Sequence, residues 1–190
     1  MAAGPAQERR RQQVLEVATR LAGEGYDAVR MKQVADESEV ALATLYSWFA
    51  GKNLLILAVM AGWIDEMVER VGSESMKGGT PADRMEATLL RTIDLALEQP
   101  DLLRSCIRAF SSPDPMGIEI VGRIEFSFGQ LLFSQMGDDI GFDRRLDVTR
   151  VVGGVWFSAL MAWMCERRDE EHIREMLRSA VAVTLGRIDD

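Results

Sequence analysis

Few side chains in this sequence could carry covalent chemistry. Among its 190 residues the thiols are Cys106 and Cys165, and the one imidazole is His172. No CxxC pair, Cys/His cluster, Ser/His/Asp set or phosphate-cradling glycine loop occurs. Asp138-Asp139 reads more simply as a helix-end turn than as paired catalytic carboxylates. His172 lies in the charged stretch around Arg167–Glu171 and is expected to face solvent. The two cysteines read as buried, unpaired thiols. No enzyme activity, no metal site and no cofactor are therefore expected. What remains is a short run of hydrogen-bonding groups: Thr44, Tyr46, Ser47 and Trp48, followed by Gly51-Lys52.

Those residues need elements to aim them. Val34 and Ala35 give a short helix an apolar face, and Val40 can plug the turn behind it. Leu45 and Phe49, four apart, share the inward side of a second short helix. Leu42, Ala43, Thr44, Tyr46, Ser47 and Trp48 are left on its flanks and outer face. Two short helices locked by an aliphatic plug, the second showing its outer face, make a helix-turn-helix. The same spacing fits a plain helical hairpin inside an all-α core, so spacing leaves both readings open.

The residue identities add to this. Thr44-Leu45-Tyr46-Ser47-Trp48-Phe49, Gly51-Lys52 and the apolar helix from Leu54 resemble the DNA-binding signature of the TetR family of bacterial transcriptional regulators. Gly25-Tyr26-Asp27-Ala28-Val29 and Val34-Ala35 stand where that family leaves its first helix and builds its second, and the resemblance spans residues 9–56. Ala41, Ala43 and Met31 depart from it, standing where many members carry Ser, Gly and a phosphate-contacting Thr. The resemblance implies roles by position. Leu42, Ala43, Thr44 and Ser47 would face base edges, the first two only through apolar contact such as a thymine methyl. Tyr46 and Trp48 would lean on the sugar–phosphate backbone. Lys52, at a helix opening, matches the family's phosphate-binding lysine, and Lys32 would be a phosphate neighbour. The second helix has no Arg, Asn or Gln, the residues that make bidentate base contacts. Sequence preference would then come from small contacts, from DNA shape, or from Arg9–Arg11. Those arginines are read first as a solvated basic helix start.

Charge is uneven. The formal net charge is −8, with 22 basic and 30 acidic side chains. Residues 1–52 hold seven of each sign, so the whole excess falls on residues 53–190. An acidic remainder disfavours nonspecific DNA binding and leaves it to a few local cations, doubled in a homodimer. The N-terminus lacks the apolar segment of a secretion signal. The longest apolar run, Leu54 to Ile64 broken only by Gly62, is short of the roughly 20 residues that span a membrane. A cytoplasmic protein without a membrane partner is expected.

Periodicity predicts an all-α chain of about nine helices. They are 9–22, 31–38, 42–49, 52–71, 81–98, 100–110, 116–136, 144–167 and 170–187, with residues 1–8 as a frayed tail. Thr80-Pro81 reads as an N-cap and first-turn pair. Two domains are expected: 1–52 as a helix-turn-helix DNA-binding head, and 53–190 as a larger ligand-binding and dimerisation body. In TetR-like proteins the body helices enclose an inducer cavity. That resemblance, with the apolar stripes, nominates Met60, Trp63, Met67, Leu89, Ile93, Leu103, Ile107, Phe110, Ile124, Phe128, Trp156 and Trp163. A nearly uncharged set suits a hydrophobic small-molecule effector: sterol-like, fatty, aromatic or an acyl thioester. Apolar residues on more than one side of the last helices point to a homodimer interface built from Val148, Val151, Val152, Val155, Ala159, Ile173, Met176, Leu177, Ala180 and Thr184. VVGGVWFSALMAW, with Met31–Asp36 and Val40-Ala41, further resembles TetR-type regulators of steroid catabolism in actinobacteria. The implied function is a repressor released from a near-palindromic double-stranded operator by its effector. An interaction protein that keeps the TetR fold but takes no inducer is the alternative.

Overall fold

The computed structural model describes residues 4–74, 78–112, 115–138 and 140–186, with Glu74 described by its backbone alone. All regular structure among them is helical: α1 (Pro5–Gly23), α2 (Met31–Glu37), α3 (Leu42–Trp48), α4 (Lys52–Glu74), α5 (Pro81–Leu97), α6 (Pro100–Phe110), α7 (Ile118–Ser134), α8 (Phe142–Met164) and α9 (Glu170–Leu185). Short 3-10 turns occupy Tyr26–Ala28 and Pro115–Gly117. No single helix among the described residues is long and apolar enough to cross a membrane.

Several boundaries differ from expectation. The first helix begins at Pro5, so residues 5–8 are helical and not a tail. Proline at the first helical position carries the right φ in advance and lacks only an N–H that would have no helical partner. α3 ends at Trp48, and Phe49 has extended backbone (φ −137°, ψ 106°) while still turning its ring into the core. α7 is shorter than the apolar pattern suggested because Pro115–Gly117 forms a tighter turn. α8 starts and stops two to three residues early, at Phe142 and Met164. Pro113, Asp114 and Asp139, named in expected turns, and Arg187, the expected end of the last helix, lie outside the described residues.

The chain forms two compact units. The first joins Met1–Trp63 to Gln99–Ile124; the second joins Ile64–Glu98 to Glu125–Asp190. In the first, α1 buries Val14, Ala18, Leu21 and Ala22 and packs on α2 and α6. Ser105 of α6 donates its hydroxyl to the Ala22 carbonyl at 2.8 Å, which satisfies a carbonyl that the helix end leaves unpaired. Gly117 lies so close to the α4 segment that a Cβ there would stand 2.9 Å from Leu57 Cδ1.

In the second unit α9 packs between α5 and α8. Met85, Leu89, Ile93 and Ala96 of α5, Val152 and Leu160 of α8, and Ile173 and Leu177 of α9 are all fully buried. The polar groups admitted to this core are bonded. Trp156 Nε1 donates to Thr92 Oγ1 at 2.9 Å, and the Thr92 hydroxyl donates to the Leu89 carbonyl at 2.7 Å. Thr80 and Asp83 close a capping box at the start of α5: Asp83 N–H donates to Thr80 Oγ1 at 3.2 Å, and Thr80 N–H donates to Asp83 Oδ2 at 2.8 Å.

Candidate nucleic-acid interface

The turn between α2 and α3 is locked from inside. Val40 is 7 % exposed, and its N–H donates to the Ala35 carbonyl at 3.0 Å. Ser38 closes α2 by donating its hydroxyl to the Val34 carbonyl at 2.6 Å. Glu39 turns the chain with φ 54°, the left-handed conformation that costs a residue with a Cβ. Leu45 is fully buried and Phe49 nearly so, so α3 is anchored along one side.

The other side faces outward. Leu42 is 40 % and Tyr46 47 % exposed; Ala43 and Ser47 are exposed, while Thr44 and Trp48 are half-buried. The Ser47 hydroxyl donates to the Thr44 carbonyl at 2.7 Å, which leaves its oxygen lone pairs outward as acceptors. Lys32 is exposed in the first turn of α2. Six of the eight nominated residues thus share one short helix. Lys52 lies elsewhere, at the start of α4.

Lys52 is occupied in this structure. Its ammonium sits 3.9 Å from the Tyr26 ring centroid, 3.7 Å from Asp27 Oδ1 and 3.3 Å from the Tyr26 carbonyl oxygen, to which it donates. Arg108 of α6 shares both partners, lying 4.0 Å from the same ring centroid and 3.4 Å from Asp27 Oδ2. The Tyr26 hydroxyl donates to Asn53 Oδ1, and Asn53 Nδ2 donates to Ser112 Oγ at 2.8 Å. Gly25, at φ 117°, supplies the bend that puts Tyr26 there. Sequence reasoning missed this cluster. Arg108 stands 81 residues from Asp27, and no periodicity links positions so far apart.

The residues nominated for an effector fall in both units. Met60, Trp63, Leu103, Ile107 and Ile124 are buried and Phe110 half-buried in the first. Met67, Leu89, Ile93, Phe128 and Trp156 are buried and Trp163 half-buried in the second, where the Phe128 and Trp156 rings lie 4.4 Å apart. Burial of this kind serves a packed core as well as a pocket lining.

The residues nominated for a dimer interface divide sharply. Val148, Val152, Ala159, Ile173 and Leu177 are already buried inside the protomer, at 0–1 % exposure. Their side chains have no surface left to give a partner. Val151 is 51 % exposed, and Val155, Met176, Ala180 and Thr184 are half-buried. Val183, 80 % exposed on α9, was not nominated. It fell outside the inward stripe used to read that helix, which is the stripe the protomer itself consumes.

The expectation of two buried thiols fails at Cys165. It is exposed at the end of α8, where the chain leaves the helix, whereas Cys106 is buried. Burial pushes the Cys106 thiol up to about 12, so it stays neutral. His172 is exposed, as expected. No group of His, Cys, Asp and Glu among the described residues could hold a metal ion.

The helix-turn-helix segment matches a known family. The model for "Bacterial regulatory proteins, tetR family" covers residues 14–59, and that for "Tetracyclin repressor-like, C-terminal domain" covers residues 61–184. This chain belongs to the TetR family. Among its relatives, the HTH-type transcriptional repressor KstR of Rhodococcus jostii is 30 % identical over 95 % of this chain and 85 % of its own length. KstR of Mycolicibacterium smegmatis is 26 % identical over 95 % of this TetR-family chain and 89 % of its own. A crystal structure of a TetR transcriptional regulator from Rhodococcus sp. RHA1 superposes with a TM-score of 0.84 at 26 % identity, covering 97 % of this chain and 99 % of that one. The all-α fold of this TetR-family chain, with nine α-helices among its described residues, agrees with the sequence expectation.

Proposed function

We propose that this chain is a ligand-responsive transcriptional repressor that acts as a homodimer on a near-palindromic DNA operator. Residues 1–52 are the DNA-binding domain and residues 53–190 the ligand-binding and dimerisation domain. The observation that carries the reading is the geometry of α3. A buried Leu45–Phe49 anchor holds a helix whose opposite side offers Leu42, Ala43, Thr44, Tyr46, Ser47 and Trp48 to a groove. In the complex, Thr44 and Ser47 meet base edges or phosphate, Tyr46 and Trp48 meet the backbone, and Lys32 and Lys52 meet phosphates. Two copies place two such helices in successive major grooves.

The effector is hydrophobic. The apolar side chains nominated for it, the family's repressor relatives and the resemblance to steroid-catabolism regulators favour a sterol-like or fatty molecule. It lowers DNA affinity only as far as it prefers the conformation that binds DNA poorly. Catalysis forms no part of this function, and a protein of this kind works in the cytoplasm beside its DNA.

A mobility shift on DNA from upstream of the chain's own gene tests the reading. Binding is expected to weaken with salt, and Tyr46→Ala combined with Lys52→Ala is expected to abolish it. Unchanged binding by the double variant would sink the contact assignment. A chain that shifts no genomic fragment would act instead through a protein partner. For the effector, thermal melting against steroids, fatty acids and their CoA thioesters should show stabilisation by at least one class.

A further inference from the structure

α3 lacks any side chain able to grip DNA with a full positive charge, and Lys52 is engaged with Tyr26 and Asp27. The first unit supplies a cation elsewhere on the same face. A groove of about 740 Å³ runs beside α3, lined on one side by Gln7 and Arg10 of α1 and on the other by Glu39, Thr44, Ser47 and Trp48. Thr44, Ser47 and Trp48 of that lining belong to the reading helix, so the groove is continuous with the proposed DNA face.

The three consecutive arginines of α1 are not equivalent. Successive helical residues point about 100° apart, so Arg9, Arg10 and Arg11 face three directions. Arg11 turns inward, with its guanidinium 5.2 Å over the Phe49 ring. Arg9 is exposed and lies outside the groove lining. Arg10 alone of the three lines the groove; it is exposed and has no hydrogen-bond or ion-pair partner among the described residues. A five-donor planar cation with no such partner among the described residues, beside the Thr44 hydroxyl and the Trp48 indole, suits a phosphate oxygen.

We infer that Arg10, with Gln7 beside it, contacts the same operator half-site as α3 and takes a phosphate at the rim of the groove that helix reads. The inference rests on the DNA-binding reading above. Glu39 has the opposite role. It lines the same groove, and its negative charge opposes any phosphate that approaches from the turn side, whatever the DNA sequence.

The test uses the full-length chain and a duplex that the wild-type chain selects from random-sequence DNA, with a scrambled duplex as control. Arg10→Ala should weaken binding roughly tenfold per half-site, and the slope of log affinity against log salt should shrink by about one per half-site. Arg10→Lys should restore most of the slope. Arg9→Ala should leave affinity and slope unchanged. Glu39→Gln should strengthen binding to selected and scrambled duplexes alike, by roughly threefold. All three side chains are exposed, so matching far-ultraviolet circular dichroism is expected for all four variants. Wild-type binding that Arg10→Ala leaves untouched overturns this inference and spares the DNA-binding reading. A wild-type chain that selects no duplex overturns both.

Discussion

At Asp27 one carboxylate serves two cations from different helices. Lys52 Nζ is 3.7 Å from one oxygen and an Arg108 nitrogen 3.4 Å from the other, and the Asp27 side chain is 82 % exposed. Exposed pairs of this kind contribute about 0–1 kcal/mol each, so Asp27 does little for stability. Its consequence for function is larger. Lys52 can meet a phosphate only by leaving Asp27, and the departure leaves Arg108 as that carboxylate's partner. Asp27→Asn removes the competitor while keeping the shape. The variant should melt within about 2 °C of wild type, since a few tenths of a kcal/mol shift a chain of this size by little more, and should bind the operator duplex roughly twofold to fivefold more tightly. Fluorescence anisotropy at several salt concentrations measures this. Unchanged or weaker binding would mean that Lys52 stays on Tyr26 when DNA is bound. The types at positions 26, 27 and 52 were visible in the sequence, but their meeting with Arg108 was not. A cation–π sandwich leaves no periodic trace, because its partners are set by how α6 lies on α1.

Elements were more legible than their neighbours in space. Amphipathic spacing found the nine α-helices of the described residues, because a helix must hide one stripe from water and that stripe recurs every three or four residues. The misses occurred at ends, where stripes say least. Pro5 opened α1 earlier than its apolar pattern does, and Phe49 kept its inward position after the helix had stopped. The Thr80-Pro81 start of α5 was readable, since capping is a local bargain between the side chain and the first free N–H groups. The capping box makes this start both stabilising and pH-dependent. The N–H and hydroxyl of Thr80 donate to the Asp83 carboxylate and hold its pKa below the ordinary 3.8. A lowered folded-state pKa adds stability that is complete above the ordinary value and is lost as pH falls through the lower one. Thr80→Ala should therefore lower the urea-unfolding midpoint at neutral pH. The cost should shrink below about pH 4, where the wild type loses its carboxylate acceptor as well. A cost that stays constant down to pH 2 would place the stabilisation in something other than the box.

For the molecule as a whole, the decisive feature is that α8 has two apolar sides. Val148, Val152, Trp156 and Ala159 form the side the protomer buries. Val151, with Gly154 and Val155 three and four residues on, forms another that it leaves partly open: Val151 is 51 % exposed, Gly154 is exposed, Val155 is half-buried, and a Cβ at Gly154 would meet nothing within 4 Å. α9 lies against α8 and adds Val183, 80 % exposed. Single exposed valines are ordinary, but an apolar strip beside a glycine on a helix that has already filled its core side asks for a second surface. The proposed pairing of two copies covers it, and pairing matters because each copy carries only one reading helix. Val151→Asp with Val183→Asp puts charges on this strip without touching the core. The double variant should elute as a monomer of about half the wild-type mass in light scattering at micromolar concentration, with its helical content intact. Losing the partner also removes the effective concentration that holds the second reading helix near its half-site. Affinity for a two-half-site duplex should then fall by about a hundredfold or more, while affinity for an isolated half-site should not change. A double variant that still scatters as a dimer moves the interface away from α8 and α9. A monomer that binds the full duplex as tightly as wild type separates dimerisation from DNA recognition.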